Sequence, residues 1–565
     1  MNDLIKTYNY TSKNGIIMNF RTSYLVPKNE KKIIDCFFDY HGYKTYQIFL
    51  FLVLTLILFS ESLHILVITL VIKDLQNDFY NITKTQKSFL SSSVFIGLVI
   101  GSILVSKYLD KYGRKPFLLY GGCIILIFSC LSVFSFSINF LIYCRIALGI
   151  GIGIQLPAGI NLASECIPIY YRSLFLSCVW LSFPIGEMYC TLIAWIIYGE
   201  GSYYLGLKDH TNDNNNNIII VRNWRLMLLY CIPPNIICIY LSNILLESPR
   251  YLYTNKNYYE GETVLKKIED INIKKISFKQ LVLPRFVNKY FNIKSNNNPL
   301  INSYINTSFE NISMLRKNKT YTKYNNNVKY ILDITDFENI IQEYEDNITT
   351  KHEASLAELF SKKYLNITLK TWVLWCAGDV GLYLTIFVIP QILLDDHNKL
   401  KNVSKNNDYS NAFFCNLFIA SIIALPKAFV SGYLAEILGR KKAMIYLLLL
   451  SSLFCVLLLS TTNVYWISFY AGFVKLTAGG IIMNIKVYST EIYPTKIRGI
   501  GSSVGHAVGR ILIVLIPFIS EIFVYIFNSS KAPFILVMIL SLLGSLCAYL
   551  LPYETLGREL DFENI

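Results

Sequence analysis

Ionisable side chains inside long apolar segments are the residues of this sequence that are best placed to do chemistry. Glu61 and His64 lie three residues apart in one such segment, and this spacing puts them on the same face of a helix. Because a charged side chain at the centre of a bilayer costs roughly 2.5 to 3.5 kcal/mol on insertion scales, those that are kept there are functional candidates. The His64 imidazole suits a proton relay, and equally a simple hydrogen bond to Glu61.

Other apolar segments also carry ionisable residues, and basic groups dominate in the second half of the chain. These residues are Arg145, Glu187, Asp379, Lys427, Lys475, His506 and Arg510. The basic excess would suit an anion, since a guanidinium can hold a carboxylate with two hydrogen bonds. Two structural alternatives stay open: Arg510 can pair with Asp379, and Lys475 can extend outward because it lies near the end of its segment.

Hydropathy predicts the elements that must position these residues. Of the 565 residues, 53% are hydrophobic and only 16% are charged, and the mean hydropathy is +0.41. Apolar segments fall at residues 46–73, 88–107, 117–138, 140–163, 173–198, 226–246, 369–394, 411–434, 443–462, 465–488, 499–527 and 532–551. Each approaches the length of about 20 residues that a transmembrane helix needs. The sequence therefore predicts an all-α membrane protein with twelve transmembrane helices.

The spacing of the segments divides the chain into five parts. These are an N-terminal tail (1–45), a six-helix bundle (46–249), a largely disordered central loop (250–368), a second six-helix bundle (369–551) and a C-terminal tail (552–565). Within the loop, residues 259–270 form a charged stretch that is typical of a helix. Basic clusters follow segments two and eight and recur in the central loop, which predicts that both termini and this loop are cytosolic.

Composition excludes several classes of protein. The net charge is +14, but the lysines lie mainly in tails and loops, so topology in the lipid bilayer explains them without a nucleic-acid partner. Most of the 13 cysteines lie in apolar segments without CxxC spacing, so neither a metal nor another cofactor is expected. No phosphate loop of the GxxxxGK type is present, which argues against ATP as an energy source. No nucleophile is paired with a base on the segments, so we expect no enzymatic activity.

Two short motifs recur in the two halves at one offset. Asp110-Lys111-Tyr112-Gly113-Arg114-Lys115 reappears as Glu436-Ile437-Leu438-Gly439-Arg440-Lys441, and Glu165-x-x-Pro168-x-x-x-Arg172 reappears as Glu491-x-x-Pro494-x-x-x-Arg498. Residue number 436 minus 110 and 491 minus 165 both give 326. A duplicated bundle explains the shared offset and predicts two homologous halves that rock about an axis along the membrane normal.

The first of these motifs has the chemistry of a latch. Its carboxylate, Asp110 or Glu436, stands at a helix end, and its glycine turns the chain. A carboxylate there can accept hydrogen bonds from the N-terminus of the next helix and from an arginine, and so hold one conformation until the halves move. The alternative is a merely positive cytosolic loop, which accounts for Arg114 and Lys115 but not for the recurrence at one offset.

With both copies of this loop motif, the sequence resembles the major facilitator superfamily. Further matches are Arg145-x-x-x-Gly149-x-Gly151-x-Gly153, Glu247-Ser248-Pro249-Arg250-Tyr251-Leu252 and Tyr488-x-x-Glu491-x-x-Pro494-Thr495-x-x-Arg498-Gly499. They are similar to the sugar porters, organic ion transporters and synaptic-vesicle-protein-like transporters of that superfamily. The stretch from Leu356 to Trp375 is similar to the entry into helix seven of metabolite:proton symporters in this group. Leu551-Pro552-Tyr553-Glu554-Thr555 resembles a terminal Pro-Glu-Thr signature with one residue inserted.

The resemblance implies the major facilitator fold and a gating role for the motif residues. These are Asp110, Gly113, Arg114, Lys115, Glu165, Arg172, Glu247, Arg250, Glu436, Gly439, Arg440, Glu491 and Arg498. It further implies that Glu61 matches the helix-one acid of proton-coupled sugar porters, which pairs with the helix-four arginine matched by Arg145. Such a pair is a proton switch, or a permanent ion pair that only holds two helices. Arg510 matches a helix-eleven position that is typically arginine in organic-anion carriers.

We therefore expect secondary active transport of a small organic solute, and the basic excess favours a proton-coupled organic anion such as a carboxylate. The candidates for solute binding are Glu187, Asp379, Lys427, His506 and Arg510, and those for proton coupling are Glu61, His64 and Arg145. One alternative is an uncoupled facilitator for a neutral sugar or an organic cation. Another is a receptor that keeps the fold without transport. The sequence leaves open whether the protein lies in the plasma membrane or in an organelle.

Overall fold

The computed structural model describes residues 8–11, 17–20, 38, 44–79, 82–168, 172–198, 223–255, 257–273, 356–401, 411–493 and 497–556. Two short strands near the N-terminus, β1 (Tyr8–Thr11) and β2 (Ile17–Phe20), pair in an antiparallel hairpin. Among the described residues this hairpin is the one departure from the all-α prediction, and it lies in the part that was expected to be a polar tail.

Twelve helical spans follow within the described residues, and three of them consist of two helices. They are span 1 (Thr45–Asp78), span 2 (Lys84–Tyr112), span 3 (Lys115–Val133), span 4 (Ile138–Cys166), span 5 (Arg172–Val179 and Ser182–Tyr198), span 6 (Asn223–Tyr230 and Ile232–Ile244), span 7 (Leu365–Lys401), span 8 (Asn411–Ile423 and Lys427–Ile437), span 9 (Arg440–Ser460), span 10 (Val464–Ile492), span 11 (Arg498–Phe527) and span 12 (Pro533–Tyr549). Shorter helices are Pro249–Thr254, Tyr258–Ile273 and Leu356–Leu359.

The predicted fold class is confirmed. Within the described residues, eleven spans are long and apolar enough to cross a bilayer, and span 12 is an apolar helix of 17 residues. Each span coincides with one predicted segment. The predicted helix at 259–270 is confirmed as Tyr258–Ile273. Residues 274–355 lie outside the described part of the chain. The prediction that the central loop is largely disordered concerns mainly these residues.

Prolines explain why spans 5, 6 and 8 are broken. Proline lacks a backbone N–H, so it suits the start of a helix, whereas in the interior it removes one hydrogen bond of the helix. Pro184 lies in the first turn after the break in span 5, and Pro233 and Pro234 occupy the same place in span 6. Pro426 is the N-cap of the second helix of span 8, so Lys427 becomes its first residue. The break thus sets the depth of Lys427.

Glycines allow spans 2 and 4 to pack closely. A Cβ added at Gly97 would lie 2.7 Å from the backbone nitrogen of Ile150 and 2.8 Å from the Cα of Gly149. No side chain fits in this gap, so the contact requires glycine. Small residues at such positions let helix backbones approach in a membrane, where lipid offers no hydrophobic drive for helix association. The glycine series that follows Arg145 in span 4 therefore has a packing role.

The two halves contact each other at the end of the bundle away from the repeated loop motifs, which we call the opposite side. Here the rings of Phe89 (span 2) and Phe518 (span 11) meet edge to face with centroids 5.1 Å apart. One turn deeper, the Ser92 hydroxyl donates to the Val514 carbonyl at 2.7 Å. Outside this contact, a cavity of about 1230 Å³ is lined by the ends of spans 1, 7 and 11 and by the starts of spans 2 and 12. The halves are thus in contact between the cavity and the middle of the bundle.

Candidate functional site

The ionisable residues predicted inside the spans lie in the interior of the bundle. All nine are described: Glu61, His64, Arg145, Glu187, Asp379, Lys427, Lys475 and Arg510 are buried, and His506 is half-buried. Spans 1, 4 and 5 supply them from the N-terminal half, and spans 7, 8, 10 and 11 from the C-terminal half. A buried charge is costly unless another group compensates it, so the partners of these residues define the site.

A buried ion pair joins the two halves. The Lys475 ammonium lies 2.6 Å from Glu187 Oε2, and the two side chains are 5% and 2% exposed. The Ser421 hydroxyl donates to the same carboxylate oxygen at 3.1 Å. Span 5 of the first half is thereby tied to spans 8 and 10 of the second. Lys475 points inward, and the alternative that it extends outward is wrong.

Lys427 is buried next to this pair and rests on an aromatic ring. Its ammonium lies 4.9 Å from the ring centroid of Phe183 in span 5, a distance at which a cation is attracted by the π face. Its aliphatic stem packs against Gly479 of span 10, where an added Cβ would lie 2.6 Å from the Lys427 Cδ. Within the described part of the chain, no carboxylate lies within ion-pair distance of Lys427.

Glu61 and Asp379 face positive charge without forming ion pairs among the described residues. Glu61 Oε2 and Asp379 Oδ2 are buried and have no hydrogen-bond partner there. Arg510 is the strongest positive charge acting on both carboxylates, and Lys486 of span 10 also acts on both. Asp379 Oδ2 packs directly against the backbone of Gly509, next to Arg510. The expected alternative, a direct Arg510–Asp379 ion pair, does not form.

His64 belongs to a separate polar cluster. Its Nε2 lies 2.9 Å from Asn235 Nδ2 in span 6 and 3.5 Å from the Ser129 hydroxyl in span 3. The Asn235 amide oxygen in turn accepts a hydrogen bond from Ser60. Because an amide nitrogen only donates, Nε2 is the acceptor in this contact. His64 thus contacts Asn235 and not the Glu61 carboxylate.

Arg145 contacts span 1 through the backbone. Its guanidinium donates to the His64 carbonyl at 3.4 Å, and in the described residues it has no carboxylate within ion-pair distance. The expected pair of Glu61 and Arg145 therefore does not form in this conformation. The two side chains have different neighbours. Arg145 donates to the carbonyl of His64, three residues after Glu61 in span 1, whereas the cations that act on Glu61 belong to the second half.

Lys486 is the interior cation that the sequence analysis missed. It lies within the tenth apolar segment, eleven residues after Lys475, and this separation returns a helix to nearly the same face. Its ammonium lies 5.3 Å above the Trp180 ring of span 5. Helical spacing from Lys475 was the signal that would have found it. His506 stacks on Trp375, with ring centroids 4.7 Å apart, and has no ion pair with the residues that the structure describes.

The repeated motifs form the same pair of contacts in each half. Arg114 binds Glu165 at 2.9 Å, and Arg440 binds Glu491 at 3.0 Å. In each case the arginine comes from the first motif and the glutamate from the second. Arg440 and Glu491 each lie 326 positions after their counterparts Arg114 and Glu165. The ion pair is therefore present in both copies of the duplicated bundle, which explains why the two motifs share one offset.

A different carboxylate from the expected one binds the N-terminus of the following helix. Glu247 accepts hydrogen bonds from the backbone amides of Arg114 (3.0 Å) and Lys115 (3.1 Å) at the start of span 3. Glu554 accepts the equivalent pair from Arg440 (2.8 Å) and Lys441 (2.9 Å) at the start of span 9. The latch carboxylate therefore belongs to a glutamate that lies a few residues after the last span of each half. Glu436, which was expected to act here, is exposed.

The motif glycines make this contact possible. Gly113 and Gly439 have φ of +96° and +88°, a conformation that side chains other than glycine rarely adopt. A Cβ at Gly113 would lie 2.5 Å from Glu247 Oε2. The side chains of Asp110, Arg172 and Arg498 lie outside the described residues, and Arg250 is half-buried.

Two protein-family models match the chain and together cover both halves. The model described as "Sugar (and other) transporter" matches residues 65–317, and the one described as "Major Facilitator Superfamily" matches residues 371–563. This chain belongs to the major facilitator superfamily. As a member it is an integral, multi-pass membrane protein whose family function is transmembrane transport rather than enzymatic catalysis.

Individual proteins are also similar to this chain. Organic cation/carnitine transporter 7 of Arabidopsis thaliana is 24% identical over 528 residues, which cover 92% of this chain and 94% of that protein. Synaptic vesicle glycoprotein 2B of Rattus norvegicus is 27% identical over 239 residues, or 42% of this chain and 33% of that protein.

Solved structures show the same fold. The xylose transporter XylE from E. coli, in a partially occluded inward-open conformation, has a TM-score of 0.58 at 16% identity and covers 91% of this chain and 100% of its own. The proton:xylose symporter XylE bound to 6-bromo-6-deoxy-D-glucose has a TM-score of 0.59 at 15% identity, with 91% and 98% covered. At these identities the likeness concerns the fold alone.

Proposed function

We propose that this protein is a secondary active transporter that carries a small organic anion, such as a carboxylate, together with protons. The balance of charge inside the bundle carries the proposal. Among the described interior residues discussed above there are five cations, Arg145, Lys427, Lys475, Lys486 and Arg510, and three carboxylates, Glu61, Glu187 and Asp379. Only Glu187 and Lys475 neutralise each other by direct contact. An anion would compensate the remaining positive charge, because uncompensated buried charge is costly.

The proposed binding groups are Arg510, Lys427 and Lys486, with Asp379 and His506 beside them. Arg510 offers a fork that matches a carboxylate with two hydrogen bonds, whereas a lysine ammonium acts as a point charge. Trp375 supports the His506 ring at 4.7 Å and supplies an apolar wall. In this proposal Glu187 acts indirectly, since Lys475 and Ser421 already occupy its carboxylate.

Proton coupling is proposed to reside at Glu61. Its Oε2 has no hydrogen-bond partner among the described residues, so a proton can bind there without breaking an existing bond. The ionised carboxylate offsets the charge of Arg510, Lys486 and Lys427, whereas the protonated one leaves that charge available to an anion. Protonation and anion binding therefore favour each other, as symport requires. His64 as a relay and Arg145 as a helix tie remain part of this proposal.

An organic cation or a zwitterion is the second candidate solute. The free carboxylate oxygens of Glu61 and Asp379 favour it, since both are acceptors for a cationic group. The name of the relative from Arabidopsis thaliana, an organic cation/carnitine transporter, points in the same direction. This candidate leaves the larger number of interior cations without a role.

Uptake into proteoliposomes tests the proposal. Radiolabelled carboxylates, amino acids, sugars and organic cations are compared with and without an inward proton gradient. Arg510→Ala is expected to abolish carboxylate uptake, and Glu61→Gln to abolish its stimulation by the gradient. Lys267→Gln, which removes one charge from an exposed residue of the helix Tyr258–Ile273, is the matched control. If a sugar or a cation enters regardless of pH and Arg510→Ala has no effect, the anion and proton assignments are both wrong.

A further inference from the structure

We propose that the solute is a dicarboxylate, with its two carboxylates bound at separate cationic poles on the inner wall of the C-terminal half. The span 8 pole is Lys427, and the span 11 pole is Arg510 together with Lys486. This inference rests on the proposed transport of an anion and adds the number and spacing of its charges.

The span 8 pole has a cation without a carboxylate of its own. Glu187 is the negative charge that acts most strongly on Lys427, but Lys475 binds that carboxylate at 2.6 Å and Ser421 at 3.1 Å. Lys427 instead lies over the Phe183 ring, which supports an ammonium but does not neutralise it. One positive charge is therefore available at this pole.

The span 11 pole has two cations that share one carboxylate. Arg510 and Lys486 both act on Asp379, and neither forms a direct ion pair with it in the described residues. Asp379 Oδ2 packs against the backbone of Gly509 and has no hydrogen-bond partner among the described residues. After this offset, and with Glu61 protonated as the proposed proton coupling requires, one positive charge is also available at the second pole.

The contacts of span 10 place the poles at one depth and apart from each other. Gly479 faces span 8, where it packs against the stem of Lys427. Ala478 and Ile482 face span 7, where they pack against Gly381 and Gly378 on either side of Asp379. Residues 478 to 482 span only about 6 Å of helix rise, so Lys427 and Asp379 lie at a similar level, and the long side chain of Lys486 starts about 6 Å further along span 10.

The wall of the C-terminal half therefore runs from span 8 through spans 10 and 7 to span 11. Lys427 and Arg510 stand at its ends, separated by at least the width of a helix, about 10 Å between axes, and Lys486 approaches Arg510 from span 10. Because lysine and arginine side chains are long, the distance between the charged groups is shorter than the distance between the helix axes. A single carboxylate contacts one pole only, whereas two carboxylates on a short carbon chain reach both. Glu61 acts on both poles, since Arg510, Lys486 and Lys427 are the cations that act on it.

The test compares adipate with adipamate, in which one carboxylate is replaced by an amide of the same shape. Both are supplied as radiolabelled solutes to proteoliposomes that contain the full chain, at one proton gradient. Because a second charge-assisted contact is lost in adipamate, wild-type protein is expected to prefer adipate by about tenfold or more in kcat/KM. Malonate, whose carboxylates are too close to reach both poles, is expected to be taken up no better than adipamate.

Variants at one pole separate this inference from the anion proposal. Lys427→Gln is expected to reduce the preference for adipate to near one, Lys427→Arg to retain it, and Lys267→Gln to leave it unchanged. If wild-type protein carries adipate and adipamate equally well, or if Lys427→Gln keeps the preference, the two-pole site is wrong while anion transport stands. If neither solute enters and a sugar or cation does, the proposed function itself is wrong. Should Lys427→Gln fail to reach the membrane, the wild-type series of adipate, adipamate and malonate decides alone.

Discussion

Breaking the buried ion pair between Glu187 and Lys475 should destabilise the protein strongly, and removing both charges together should not. Lys475→Met leaves the Glu187 carboxylate with only the Ser421 hydroxyl, in a site where the two paired side chains are 2% and 5% exposed. Removal of one partner from a buried pair costs about 3–5 kcal/mol, because the other charge is left uncompensated. Replacing both with apolar residues of similar volume is close to neutral. We therefore expect a loss of ~3–5 kcal/mol in each single variant and of less than ~1 kcal/mol in Glu187→Met/Lys475→Met.

The four proteins of this double-mutant cycle are compared by denaturant titration in one detergent, followed by tryptophan fluorescence. Lys442→Met removes a charge from an exposed residue and serves as the control, with an expected change within about 0.5 kcal/mol. If the single variants each lose less than ~1 kcal/mol, or if the loss in the double variant equals the sum of the two single losses, the reasoning from burial and pairing is refuted.

Three further predictions concern the latch and the aromatic support. Glu554→Gln weakens the two backbone hydrogen bonds at the start of span 9 and should lower the free energy of unfolding by about 1.5–3 kcal/mol. The control is Glu436→Gln, which changes an exposed carboxylate and should leave the free energy of unfolding unchanged. Equal stability of the two variants would contradict the capping role of Glu554. Gly439→Ala strains a backbone with φ of +88° and should lower the free energy of unfolding by about 1–3 kcal/mol. The control is Gly432→Ala, which should change it little because there is open space around Gly432. Thermal unfolding of the two variants measures the difference. Phe183→Leu removes the ring beneath the Lys427 ammonium, so about 0.5–1 kcal/mol of cation–π attraction is lost. The KM for the anionic solute should therefore rise about two- to fivefold. An unchanged KM would argue against that contact.

Local patterns in the sequence determined the fold and the types of residue in the site. Runs of apolar residues of membrane-spanning length gave the twelve spans, because a lipid environment forces the backbone to satisfy its own hydrogen bonds within helices. The offset of 326 residues revealed two homologous halves, and the pairs Arg114–Glu165 and Arg440–Glu491 obey that offset. The interior position of the predicted ionisable residues also followed from the sequence, since each stands within an apolar run.

Only the tertiary structure decided which of these residues touch. Lys475 and Glu187 are 288 positions apart, on spans of different halves, and no local period connects them. The expected partner of Glu61 was Arg145, but the rotation of span 4 directs that guanidinium to a backbone carbonyl. Glu554 binds the start of span 9 from 114 positions away, although its surrounding sequence matches its counterpart around Glu247 only loosely. Helix periodicity fixes the face of a residue along its own span, whereas its partner depends on how neighbouring spans are rotated and at what depth they cross.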